Sequence, residues 1–330
     1  MNERPATISV VTPTLRRCEE VVGLLENLAE QTHLPLELVL VDGAPEGETE
    51  TEIAVKAMID RMPYRVVYIR HGGGTAIQRN VGIDAAAGDS ISFIDDDIRL
   101  DPGFFERMAE AFAEDGNADV GGIAGYITNQ YFDQNSTPRW IWYRKLRLLK
   151  TYTPGHYDFQ TGIPVNRYMQ PPHNELRTLD FMGSSCAVWR REVFRDGLRF
   201  SEFFTDYGVL EDAHFALRAA KKWRLLENGR AHCTHLRSPK SRVNRRRLGY
   251  KCVVNYYFVF QDIASPLSLN NKFRFWRFQS FEVFRVAAFA ARNRSWGDVQ
   301  DVRGRFEGMW AVFRGVTKTR PEPEPFRQAA

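Results

Sequence analysis

The stretch Ile91-Ser92-Phe93-Ile94-Asp95-Asp96-Asp97-Ile98 constrains this chain most. An apolar run without helical period enters three consecutive carboxylates, which reads as a buried strand. A strand interior cannot carry three unpaired charges, so the acids mark the strand's end and need positive partners. A divalent cation is the economical partner, because Mg²⁺ is typically held by one or two carboxylates together with substrate phosphates. A solvated strand end beside a helix cap is the plainer alternative.

That strand belongs to a repeating pattern. Ile8 to Thr12 is another short apolar run, ending at Pro13, and Val21, Leu24, Leu25 and Leu28 follow at helical spacing. Leu36 to Val41 reads as a second buried strand that ends at Asp42-Gly43. Glu48 to Met62 reads as a helix, Arg65 to Ile69 as a strand, and Thr75 to Ala87 as a helix after Gly72-Gly73-Gly74. The alternation predicts an α/β fold with a mostly parallel sheet and helices on both faces. Ligands of such sheets bind beyond the carboxyl ends of the strands. Thr12-Pro13-Thr14, Asp42 and Asp95 to Asp97 all stand at such ends, and Arg79 in the following helix could reach the same crevice. The triple glycine fits neither a GxGxxG nor a Walker pattern and reads as a turn.

Asp101 to Glu114 reads as a helix and Gly121 to Thr128 as a strand. From Asn129 to Thr178 the period dissolves, although Tyr, Trp, Pro and His are plentiful. Such a stretch is expected to be a binding lid or acceptor wall, its aromatic content arguing against disorder. Leu179 to Met182 restores order before a small-residue run from Gly183. Glu211-Asp212 stands at the start of a helix over Ala213 to Lys222, where two acids are equally explained as helix-dipole partners. Trp223 to Glu227 reads as a strand. His232 and His235 follow, three residues apart, as metal ligands or as ordinary histidines.

The C-terminal third changes character. Between Arg237 and Gly315 stand sixteen Lys/Arg against five acids, an excess hidden in the net charge of +4. Aromatics are interleaved, among them Phe273, Phe284, Trp296, Trp310 and Phe313. A membrane interface, nucleic-acid binding, and ordinary packing on the catalytic domain are the three readings. Arg320 to Ala330 is Pro/Glu-rich and expected to be disordered. The four cysteines form no CxxC pair, and no run of 18 apolar residues exists, which predicts a reduced, cytosolic protein without a transmembrane helix.

In order, these motifs resemble the family 2 glycosyltransferases. Ile8 to Thr14 resembles the opening strand, and Leu38 to Gly43 the second strand with its nucleobase-reading acid. Gln78-Arg79-Asn80-Val81-Gly82-Ile83 is similar to the family's ARNxGI segment, Phe93 to Asp97 to its DXD strand, and Gly183 to Arg191 to its acceptor-side segment. Glu211-Asp212 is similar to its ED motif, and His235 falls where a metal-binding His usually follows. No QxxRW motif is present, which argues against a processive synthase.

The resemblance implies a GT-A fold over residues 1–240, with nucleotide-sugar binding over 1–128 and acceptor binding over 129–240. A basic aromatic helical extension would span 241–319, with a tail over 320–330. It implies an inverting, metal-dependent transferase with a nucleotide-sugar donor and a saccharide acceptor; the basic aromatic C-terminal helices add the expectation of a lipid-linked saccharide acceptor, in bacterial surface polysaccharide synthesis. Thr12, Pro13, Thr14, Asp42, Arg79, Asp95, Asp96 and Arg242 would bind the nucleotide sugar. Asp97 and His235 would hold Mg²⁺ or Mn²⁺, Asp212 would be the general base, and Glu211 would bind the acceptor or orient Asp212. The expected place is cytoplasmic, at the inner face of the membrane where the extension binds lipid, with no nucleic-acid partner. A sugar nucleotidyltransferase and a non-catalytic membrane- or nucleic-acid-binding module are the rival readings.

Overall fold

The computed structural model describes residues 7–205, 208–237 and 244–317. Two compact units divide them: unit 1 holds residues 7–137, 153–156 and 166–237, and unit 2 holds residues 138–152, 157–165 and 244–317.

Unit 1 is built on a mixed sheet. Strands β1 (Ile8–Thr14), β2 (Glu37–Asp42) and β4 (Ser90–Ile94) are mostly apolar and buried along their whole length, and buried Glu37 accepts the Ser9 hydroxyl at 2.6 Å. With β3 (Arg65–Arg70) they form the parallel block β3-β2-β1-β4. Helix α1 (Cys18–Ala29) buries Val21, Leu24, Leu25 and Leu28, the stripe its spacing marks. Each contributes about 1.5–3 kcal/mol of burial. Helix α2 (Glu50–Met58) runs into a 3₁₀ turn, and α3 (Thr75–Ala85) precedes β4.

The sheet continues as β4-β10-β6-β11-β5, where β5 is Ile98–Leu100, β6 Val120–Ile127, β10 Cys186–Arg190 and β11 Arg224–His235. Strand β10 runs antiparallel between β4 and β6, and β9 (Leu176–Leu179) adds antiparallel to β11. The expected short strand over Trp223 to Glu227 therefore extends through His235. Helices α4 (Phe104–Ala113), α6 (Glu192–Arg195) and α7 (Glu211–Ala219) complete the unit.

The register explains how distant motifs meet. Thr14 pairs with Asp42 and Val11 with Phe93, so the carboxyl ends of β1, β2 and β4 share one edge. Cys186 pairs with Ile94, which brings Ser185 beside Asp95. His235 pairs with Ile98, which brings it beside Asp97.

The stretch from Asn129 to Thr178, expected to lack pattern, contains regular pieces: α5 (Pro138–Lys145), a hairpin of β7 (Tyr157–Asp158) and β8 (Ile163–Pro164), and a 3₁₀ turn at Arg167–Met169. Each is too short to show a period. Helix α5 and the hairpin belong to unit 2, with α8 (Arg245–Ala264), α9 (Leu269–Asn293) and α10 (Trp296–Phe313). Close packing of α10 on α8 depends on glycine: a Cβ at Gly304 would intrude on the Arg246 carbonyl oxygen.

Buried Glu282 on α9 ties α5 into this unit. It accepts hydrogen bonds from Arg139 (2.9 Å), the Tyr143 hydroxyl (2.7 Å) and Arg285 (2.7 and 3.0 Å). Burial alone would raise its pKa, but Arg285, Arg139 and Tyr143 outweigh it and hold the carboxyl at about 2, below its ordinary 4.5. That difference corresponds to about 3 kcal/mol of stabilisation. Because the folded pKa is the lower one, the stabilisation is complete above pH 4.5 and is lost as pH falls towards 2. Glu282→Gln is therefore expected to melt well below the wild type at pH 6, with the gap shrinking as pH drops through that window. Melting curves across pH check this, and a constant gap would contradict it.

Candidate active site

The site lies at the common edge of β1, β2 and β4 in unit 1. Its three aspartates face three environments. Asp96 turns inward, 2% exposed, where Thr14 Oγ1 and Arg17 Nη1 each donate to it at 2.7 Å. Burial pushes its pKa up to about 6 against the pull of Arg17 and Thr14. The sequence groups Asp96 with the nucleotide-sugar ligands, whereas here its oxygens serve to fix the strand end to β1 and α1. Arg17, which supplies that charge, was not singled out by sequence reasoning, because an arginine after a strand carries no signature of its own.

Asp95 points the other way. Arg79 Nη2 donates to its Oδ1 at 2.9 Å, and Arg79 Nη1 donates to Glu211 Oε1 at 3.2 Å. Thr75, one turn before Arg79 on α3, also donates to Glu211 Oε1 at 3.3 Å. A single buried guanidinium thus joins the end of β4 to the start of α7. Burial raises the pKa of both acids, opposed by Arg79; the charge of Asp97 adds to the rise at Asp95, and that of Asp212 to the rise at Glu211. Helix α3 is itself pinned, since Gln78 Nε2 donates to the carbonyl oxygens of Thr14 (2.9 Å) and Val41 (2.8 Å). Breaking one partner of a buried charge set costs about 3–5 kcal/mol. Arg79→Met is expected to lose about that much stability in chemical denaturation, and a cost below about 1 kcal/mol would contradict the bridging role.

Asp97 meets His235. Its Oδ1 lies 3.2 Å from His235 Nε2, and its Oδ2 lies 3.5 Å from Arg17 Nη1. The Leu236 N–H donates to the Asp97 carbonyl at 2.8 Å, which locks the β11 end against β5. Gln130 contacts His235 Nδ1, a partner that the sequence did not reveal. The hydrogen bond with Asp97 raises the His235 pKa, against the effect of burial. Among the described residues no group of three or more His, Cys, Asp or Glu side chains is gathered for a metal. One carboxylate oxygen and one imidazole nitrogen in contact nevertheless suit a cation that takes its remaining ligands from substrate phosphates and water.

Asp212 occupies the first turn of α7. Its Oδ1 accepts from the Ala213 N–H at 2.8 Å and its Oδ2 from the Ser184 N–H at 3.4 Å. Gly183 leaves room for this approach: a Cβ there would stand 3.1 Å from Asp212 Oδ2, tight enough to push the carboxylate by a few tenths of an ångström. Leu210, directly before the acids, holds the left-handed conformation (φ 71°), which costs a non-glycine residue about 1–2 kcal/mol. Ser185 accepts the Asp95 N–H at its carbonyl (3.2 Å), and its hydroxyl bonds Tyr168, whose phenol burial pushes up to about 12.

The remaining expected residues are less open. Asp42 is fully buried, accepting from the Ala44 N–H (2.9 Å) and the Tyr68 hydroxyl (2.7 Å). Thr12 is buried with its hydroxyl unpaired, and Pro13 is buried in β1. Arg242 lies outside the described residues.

The family model described as "Glycosyl transferase family 2" matches residues 9–198, more than half of the chain. The chain belongs to glycosyl transferase family 2. The match contains Asp42, Arg79 and Asp95 to Asp97, and it ends before Glu211, Asp212 and His235, which the fold brings to the same edge.

Among relatives, the uncharacterized glycosyltransferase YwdF of Bacillus subtilis is 31% identical over 177 residues, covering 52% of this chain and 62% of that one. The chain spans about three-fifths of the first curated relatives it matches. Two solved structures share its GT-A fold. The mannosyltransferase PcManGT of Pyrobaculum calidifontis, solved with GDP-Man and Mn²⁺, superposes with a TM-score of 0.55 at 15% identity, covering 93% of this chain and 88% of that one. GalNAc-T7, solved with UDP, GalNAc and Mn²⁺, gives 0.59 at 13% identity, covering 98% and 59%.

Proposed function

We propose that this family 2 member is an inverting, divalent-metal-dependent transferase. It would move a sugar from a nucleoside-diphosphate donor to a saccharide hydroxyl, in bacterial surface polysaccharide synthesis. One observation carries the reading: Arg79 ties the strand-end acid Asp95 to the helix-start acid Glu211, so donor-side and acceptor-side carboxylates share one site. The two structural neighbours solved with Mn²⁺ and a nucleotide or nucleotide sugar support the donor class.

The chemistry follows from the placement of the acids. Asp97 and His235 would hold the cation, which supplies charge compensation for the departing diphosphate. Asp95 faces the same edge and would orient the donor. Asp212 takes the proton of the acceptor hydroxyl as its oxygen bonds the anomeric carbon. The bond from that carbon to the diphosphate oxygen breaks, and the nucleoside diphosphate carries away the electron pair. Attack opposite the leaving group inverts the anomeric centre. Glu211, already bound by Arg79 and Thr75, would position the acceptor and keep Asp212 in place. Donor and acceptor are thus separated by function along one edge, with Arg79 between them.

A donor panel tests this. Release of nucleoside diphosphate from one of the UDP-, GDP-, dTDP- or CDP-sugars is expected with Mn²⁺ and not with EDTA. NMR of the product should show the anomeric configuration opposite to that of the donor. Retained configuration would overturn the single displacement.

A further inference from the structure

Unit 2 carries a surface that the transfer chemistry does not use. On α9, Leu269 (84% exposed), Phe273 and Phe284 (71%) face outward, with half-buried Trp276 between them. Their spacing of four, three and eight residues keeps them on one side of the helix. The opposite side buries Phe275, Phe278, Glu282 and Val286 in the unit. On α10, Trp296, Phe306, Trp310 (61%) and Phe313 (81%) face outward, opposite the buried Asp301, Gly304, Gly308 and Val312. Large exposed side chains in helical register give each helix an apolar face rather than isolated exceptions.

Charge decides what covers it. Lys272, Arg292, Arg294, Arg303 and Arg314 are exposed on these helices or at their ends. The acids of unit 2 are mostly withdrawn: Asp158, Glu282, Asp298 and Asp301 are buried, and Asp262 on α8 is half-buried. Glu307 is the exposed acid among the described residues of the unit, and it is ion-paired with Arg246. A second copy would set cations against cations, whereas anionic headgroups complement them. No helix among the described residues is long and apolar enough to cross a membrane, so such a surface would lie in the interface plane.

We propose that the outer faces of α9 and α10 dock on an anionic lipid surface, with the aromatics entering the headgroup boundary and the arginines at phosphate level. This goes beyond the transferase reading and does not depend on it.

The test is co-sedimentation of the full chain with phosphatidylcholine vesicles, with and without about one-third phosphatidylglycerol. Binding to the anionic vesicles alone is expected. Two double variants, Phe273→Ser with Phe284→Ser and Trp310→Ser with Phe313→Ser, should each weaken partitioning about tenfold or more. Because these side chains are exposed, circular dichroism and melting should stay unchanged, which separates lost docking from lost fold. Arg292→Gln with Arg294→Gln and Arg303→Gln should abolish the preference for anionic vesicles. No partitioning, or partitioning that the serine variants leave intact, would overturn the proposal. So would salt-sensitive binding to duplex DNA without vesicle binding, which assigns the surface to nucleic acid. A dimer that Phe284→Glu dissolves, without vesicle binding, would assign it to a second copy.

Discussion

Asp212→Asn is expected to reduce sugar transfer by about 10³-fold while nucleotide binding stays within about twofold. A positioned general base supplies about 10²–10⁴ in rate. The substitution keeps the shape of the side chain and removes its ability to take a proton. Its oxygen can still accept the Ala213 N–H, so only the longer 3.4 Å bond from Ser184 is put at risk. Loss of one such hydrogen bond costs about 1 kcal/mol, too little to unfold the site. Burial chiefly raises the Glu211 pKa and the Asp212 charge adds to it; the variant removes that second push, so Glu211 should ionise more easily. Glu211 remains bound by Arg79 and Thr75, and a better-ionised Glu211 is not expected to rescue transfer. Activity within tenfold of wild type, measured with the same donor and acceptor, would place the base elsewhere.

Asp97→Ala is expected to fail differently. It removes the contact with His235 Nε2 at 3.2 Å and the longer contact with Arg17. The strand end should survive, because Leu236 donates to the Asp97 backbone carbonyl and Arg17 keeps its 2.7 Å bond to Asp96. What disappears is one of the two protein ligands proposed for the cation. Transfer should fall by about 10²–10³ at any Mn²⁺ concentration, the scale associated with losing electrostatic support for a developing charge. Mn²⁺-stimulated nucleotide binding should fall with it, unlike in Asp212→Asn. Were Asp97 only an ion-pair partner for Arg17 and His235, the variant would keep its Mn²⁺ requirement and lose about tenfold or less. The pair of variants therefore separates donor activation from proton removal.

Much of the central sheet was legible because burial on both faces leaves short, mostly apolar runs. β2 ends at Asp42 and β4 just before Asp95, and α1 declares its face by spacing. Pairing at long range was not legible. Nothing local tells that β10 inserts antiparallel between β4 and β6, yet this insertion sets Ser185 beside Asp95. The contact of His235 with Asp97 depends on the β5–β11 register, which a sequence spacing of 138 residues cannot convey. The three aspartates look alike in sequence. Only the structure shows that Asp96 turns to Thr14 and Arg17, while Asp95 turns to Arg79 and Asp97 to His235. In the stretch after Asn129, two-residue strands and an eight-residue helix are too brief to impose a period.

The role proposed for Asp97 and His235 is to hold a cation against the diphosphate of a nucleotide donor. Calorimetric titration with UDP, GDP, dTDP and CDP, each with Mn²⁺ or EDTA, tests it on wild type, Asp97→Ala and Asp212→Asn. The expected result is binding of one nucleotide that requires Mn²⁺, is lost in Asp97→Ala and persists in Asp212→Asn. Silence across the panel in folded protein, or binding indifferent to Mn²⁺ and to Asp97, would rule that role out.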